Sequence, residues 1–138
     1  MAATKTVLRV TNNRAIVRIV GTTAADTATI SLSTDLVGAG DALTSGGTPT
    51  ANISMIKTST LNSITVVRNG TTVAALYGAD VLDQPEFTLA DANTSDIVVT
   101  FVGGAGAIWL DITKVAGYSP KMESAQFGGN DNIANVGS

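Results

Sequence analysis

The chain contains no cysteine and no histidine in its 138 residues. Without cysteine there is no disulfide framework, no thiolate nucleophile and no Cys-based zinc site. Without histidine, the commonest general base, the Ser–His and Cys–His nucleophile pairs and imidazole metal ligation all disappear together. An enzyme on this chain would have to work with carboxylates or lysine. Charged residues are 14% of the sequence, well below the usual quarter, so the surface is poorly solvating and suits a protein covered by neighbours. No stretch approaches the ~18 apolar residues that span a bilayer. The opening Met1-Ala2-Ala3-Thr4-Lys5 lacks the apolar core of a secretory signal. The expectation is synthesis in a reducing cytoplasm, with no membrane partner.

Basic residues are scattered and the net charge is −3. No Lys/Arg cluster is present to neutralise phosphates, which argues against a nucleic-acid partner. What the sequence does have is twenty Thr, fourteen Val, ten Ile and ten Ser. Thr, Val and Ile are stiff at χ1 and favour a pleated, half-buried surface. At this length the chain is one domain, and the composition predicts that it is all β.

The strands are expected at residues 6–10, 15–20, 27–33, 51–57, 63–68, 71–77, 96–102 and 107–115. Asn12-Asn13 between the first two can form a primed hairpin turn, because Asn tolerates positive φ. Residues 27–33 alternate, with Ala28, Ile30 and Leu32 on one face. Asn69-Gly70 between Val-Val-Arg and Thr-Thr-Val is the strongest local signal, a type I′ hairpin. Residues 35–49 read as a long loop, and 78–92 as an acidic, Pro-containing connection. In the last strand Ile108, Leu110 and Ile112 share one face, while Trp109, Asp111 and Thr113 share the other. About eight strands at this spacing predict an antiparallel β-sandwich or barrel, jelly-roll or immunoglobulin-like. No window carries a 3.6-residue period and no internal repeat stands out.

Few residues suggest chemistry. Asp80, Asp83, Glu86, Asp91 and Asp96 cluster in sequence. They lack EF-hand spacing, and nothing places two of them across a cleft as glycoside hydrolysis requires. Acids that cap turns are the default reading, so no cofactor or metal site is assigned. The glycines at 38–40 and 103–106 lack the Gly-Lys-Ser/Thr ending of a phosphate loop and open no helix. They read as turn residues. Trp109 beside Asp111 is either a sugar-binding platform or, as rings dominate interface energetics, a packing residue.

Residues 117–138 differ from the body, which is expected to span 1–116. Rich in Gly, Asn and Ser, they have no strand or helix period. Ordering them costs on the order of 20–40 kcal/mol. The spaced anchors Tyr118, Met122, Phe127, Ile133 and Val136 return ~1.5–3 kcal/mol each when buried, which falls short without backbone pairing to another surface. The segment therefore reads as an extended C-terminal arm that docks on a neighbouring subunit; the strand body is expected to survive its removal, because the arm supplies no strand to the core. Trp109 and the five arm residues are the expected partner interface.

The stretches ITVVRNGTT at 64–72, DIVVT at 96–100 and AIWLDITKVAGY at 107–118 resemble small all-β virion structural proteins of tailed bacteriophages, those of cyanophage-like myoviruses. The resemblance covers roughly residues 60–118 and is one of texture: Thr/Val/Gly strands, a Trp-bearing last strand and a Gly-Tyr exit. It implies a non-enzymatic capsid decoration or cement protein on the capsid exterior. Such a protein is made in the host cytoplasm and bound to major capsid protein or other virion proteins as a homo-oligomer or lattice of copies. A neck, tail or fibre-attachment protein is the alternative in the same class, and a carbohydrate- or cell-surface-binding module the alternative outside it.

Overall fold

The structure is a computed structural model, and it describes residues 2–11, 13–38, 41–43, 48–83, 85 and 94–120. Among them no helix occurs. The elements are β1 (Thr4–Val10), β2 (Arg14–Gly21), β3 (Asp26–Ile30), β4 (Asp41–Leu43), β5 (Thr50–Thr60), β6 (Ser63–Arg68), β7 (Thr71–Tyr77), β8 (Asp80–Asp83), β9 (Ile97–Phe101), β10 (Gly106–Ala116) and β11 (Tyr118–Pro120). Two antiparallel sheets face each other, ordered β1-β2-β10-β5-β8 and β3-β9-β6-β7, with β11 and β4 as a separate pair. The expected β-sandwich is therefore present. The barrel alternative is not, because the two sheets keep separate edges.

The pairing is nested. β2 pairs with β10, β3 with β9, β5 with β8 and β6 with β7. Two further pairings, β10 with β5 and β9 with β6, roll this long ribbon onto itself. That connectivity is a jelly roll of eight strands, to which β1 adds a ninth by a hairpin onto β2. It selects the jelly roll over the immunoglobulin-like option.

Alternation builds the core. β2 buries Ala15, Val17 and Ile19, β9 buries Ile97, Val99 and Phe101, and β10 buries Ile108, Leu110 and Ile112. Facing apolar stripes of this kind stabilise by roughly 1.5–3 kcal/mol per fully buried large side chain. The Asn69-Gly70 turn is as expected: φ is 48° and 76°, positive at both central positions as type I′ requires.

Three expectations need correction. The third strand stops at Ile30 rather than Ser33. There Asp35 closes a tight turn, its carboxylate accepting the Ser31 amide at 2.7 Å while its own amide donates to the Ser31 carbonyl at 2.9 Å. Leu32 still turns inward and is 1% exposed. Within the expected loop 35–49, β4 pairs with β11. Within the expected connection 78–92, β8 pairs with β5. Both missed strands are too short to show a period, and each exists because a distant partner supplies its hydrogen bonds. Phe87 and Leu89, also in that connection, lie outside the described residues.

Polar staples close the sandwich. The Ala3 amide donates to the Thr27 carbonyl at 3.0 Å. Lys5 Nζ donates to the Thr29 carbonyl at 2.8 Å and to Asp35 at 2.6 Å, tying β1 to the opposite sheet. Lys114 follows Ile112 on the inner side, and its amine donates to the Thr11 carbonyl at 2.7 Å.

Candidate functional site

The two outer surfaces of the sandwich have different chemistry. On the four-stranded sheet the outward positions are Thr27 and Thr29 of β3, Val98 and Thr100 of β9, Ser63, Thr65 and Val67 of β6, and Thr72, Ala75 and Tyr77 of β7. None is charged. Thr27, Thr100, Thr65 and Ala75 stand in one register row across all four strands, and Tyr77 is 72% exposed. The inward positions of the same strands are mostly apolar, Ile30, Ile64, Val66, Leu76, Ile97, Val99 and Phe101 among them, with Asp26 and Arg68 as buried charged exceptions, so the polarity of the outer side is supplied by hydroxyls.

On the five-stranded sheet, strand alternation turns Arg14, Ile16, Arg18 and Val20 of β2 outward, along with Ala107, Trp109, Asp111 and Thr113 of β10. Their cross-strand partners include Met55 and Lys57 of β5, and Arg9 of β1. Trp109 sits at the centre of this surface, half-buried, with Arg18 directly opposite on β2 and Lys57 directly opposite on β5. Lys57 Nζ stands 5.8 Å from the centre of the indole ring, within cation–π range.

Asp111 was expected as the polar neighbour of Trp109. It is only 8% exposed, and Arg14 holds it by a two-point ion pair, Nε to Oδ1 at 2.8 Å and Nη2 to Oδ2. This hydrogen bond, with the Coulombic attraction of the carboxylate, raises the Arg14 pKa further. Asp111 is thus committed to its partner, and the polar groups beside the indole that remain open are the two cations. A groove of about 390 Å3 lies at the hairpin end of the same region, lined by Arg9, Thr11, Asn13, Arg14, Ala15 and Ile16.

The described acids of the acidic stretch do not assemble into a centre. Asp80 and Asp83 mark the ends of β8, and Asp96 accepts the Leu32 amide at 3.1 Å across 64 residues. Glu86 and Asp91 lie outside the described residues. Among the described residues no three acids converge in a way that could hold a metal. Asp26 is a further turn acid that the sequence did not single out. It accepts the amides of Thr22 and Thr23 at 2.9 and 3.1 Å and the Thr23 hydroxyl at 2.8 Å. These donors hold its carboxyl down at about 2.

Of the expected interface residues, Trp109 lies on the outer surface. Tyr118 opens β11 and packs on the core, its hydroxyl donating to the Leu32 carbonyl at 2.7 Å and its ring 4.6 Å from Lys114 Nζ. The body–arm boundary expected at 116 thus falls just before a residue that binds its own sandwich. Met122, Phe127, Ile133 and Val136 lie outside the described residues. Sequence reading missed the grouping of Arg9, Arg14, Arg18 and Lys57. Only the register brings them together, although the odd-even position of Arg18 relative to Ile19 was a usable signal.

No helix among the described residues is long and apolar enough to cross a membrane. The chain matches no known family model, and no curated protein matches it.

Proposed function

We propose that the chain is a non-enzymatic structural protein of a virus particle, one that decorates or cements a phage capsid from its exterior. On this reading the four-stranded sheet seats on major capsid protein subunits, and many copies share the lattice. The observation that carries it is the outer side of that sheet, four strands wide without a charged side chain. Interface cores are depleted of charge, and an uncharged Thr/Val surface loses little on desolvation because each hydroxyl finds a new partner at modest cost. A rigid two-sheet body also suits the role: little conformational entropy is lost on docking, and repeated copies on one lattice gain from multivalency. Jelly rolls serve in viral capsid domains, lectins and cupins alike, so the connectivity is compatible with the proposal, and what supports it is the surface chemistry.

The test is co-sedimentation with expanded capsid shells that lack this protein. Wild type is expected to bind them, and Thr65→Lys and Thr100→Lys, each placing a cation in the middle of the uncharged surface, are expected to lose most of the binding. Thr113→Lys, on the opposite sheet, is expected to retain it. A protein that stays monomeric and leaves the shells bare would remove the proposal. Electron microscopy of gold-labelled virions separates a head position from a neck or tail one.

A further inference from the structure

Four of the eight basic residues in the chain stand on the outer surface of the five-stranded sheet: Arg9, Arg14, Arg18 and Lys57. The net charge of the protein is −3, so this concentration runs against the molecule as a whole. It creates a local positive field of the kind that steers and holds anions. Among the described residues only Arg14 of the four has an ion-pair partner, Asp111. Arg18 and Lys57 instead flank Trp109 as its two cross-strand neighbours, giving a row of cation, indole and cation at successive strand spacings of roughly 4.8 Å. Ile16 pairs with Asp111, two residues along β10 from Trp109. The Arg9/Arg14 groove that Ile16 helps to line therefore adjoins the indole diagonally.

We infer that this row and the adjoining groove bind a carboxylated glycan. A pyranose of this class offers the two features the surface matches: an apolar C–H face that stacks on a flat indole, and a carboxylate fixed at the ring edge. Arg18 receives that carboxylate through its planar fork, and Lys57 receives a second as a point charge. The chain of sugars continues over Ile16 toward Arg9. A neutral glycan uses the indole and leaves both cations unanswered. An acidic peptide answers the cations but brings no rigid ring face. Single-stranded nucleic acid stacks successive bases on successive aromatics, and among the described residues this surface has one ring. The inference uses the sheet opposite the one assigned to the shell, so the two stand or fall separately.

The experiment places the full-length protein on an array of uronate and sialylated oligosaccharides, each beside its neutral counterpart, with polyglutamate and oligo-dT as competitors. Carboxylated glycans are expected to bind in preference to neutral ones, more weakly as salt rises. Trp109→Ala is expected to weaken binding about tenfold or more, and Arg18→Gln and Lys57→Gln several-fold each. All three variants should keep the wild-type melting temperature and shell binding, which excludes unfolding as the cause. Equal binding of neutral glycans, unchanged binding by Trp109→Ala, stronger competition by oligo-dT or polyglutamate than by the glycans, or no carboxylated glycan bound at all overturns the inference.

Discussion

Gly21 at the end of β2 lies against the ring of Phe101 at the end of β9, so close that a β-carbon on Gly21 would stand 2.5 Å from Phe101 Cγ. The two residues belong to opposite sheets, and Phe101 is fully buried. The glycine is there to let the ring fill the interior where the chain leaves one sheet for the other. Gly21→Ala is expected to destabilise the fold by about 1–3 kcal/mol, the usual cost of overpacking, read as a lower urea midpoint. Adding Phe101→Leu to that variant should recover part of the loss. A neutral Gly21→Ala would mean that the ring swings aside without cost.

Asp26 makes stability depend on acid. Its folded carboxyl is lowered from 3.8 to about 2, chiefly by the Thr22 amide and then by the Thr23 hydroxyl and amide. A lowered folded value means that the unfolded chain takes up a proton first. The stabilisation is therefore complete above pH ~4 and is lost as pH falls toward 2. Asp26→Asn is expected to lower the melting temperature at pH 7 and to flatten its decline between pH 4 and 2. A variant with the wild-type slope in that window would show that other acids govern it.

Arg68 is a buried strap. It is 4% exposed, and donates from Nη1 to the Ala51 carbonyl at 2.7 Å and from Nε and Nη2 to the Ser95 carbonyl at 3.0 and 2.7 Å. Arg68→Met keeps much of the apolar stem and removes the donors. Two carbonyls then lose their donors, at roughly 1–3 kcal/mol for each buried group. Chemical denaturation should show a loss of about 3 kcal/mol, and a loss below ~1 kcal/mol would mean that water replaces the guanidinium.

Truncation separates the body from the rest of the C-terminal segment. Removing 117–138 takes away β11 and the Tyr118 hydroxyl bond to Leu32, so the melting temperature is expected to fall. The two sheets of the sandwich contain no residue beyond Ala116, so the strand body is still expected to fold after this cut. Stopping after Pro120 keeps β11, so the melting temperature is expected to hold while binding to capsid shells drops. Shell binding that survives the shorter deletion would take residues 121–138 out of the interface.

Local chemistry made much of this legible in advance. Asn69-Gly70 demands its turn because few other pairs accept positive φ twice. The stripe Ile108, Leu110 and Ile112 marks an inner side because successive side chains in a strand point to opposite faces, and that same rule put Trp109 outside. The charge-poor surface and the all-β class follow from composition. Tertiary structure alone decided the rest. β4, β8 and β11 are three or four residues long, too short for a period, and are strands only through partners far away in the chain. Gly103-Gly104-Ala105-Gly106 reads only as a turn between two strands, and it is the pairing that shows it carrying the chain from β9 in one sheet to β10 in the other. Arg9, Arg14, Arg18 and Lys57 share a surface only because β1, β2, β10 and β5 lie side by side in register. Which face a side chain takes is set by its neighbours in sequence, whereas what it stands beside is set by strand pairing between residues tens of positions apart, and no local preference encodes that.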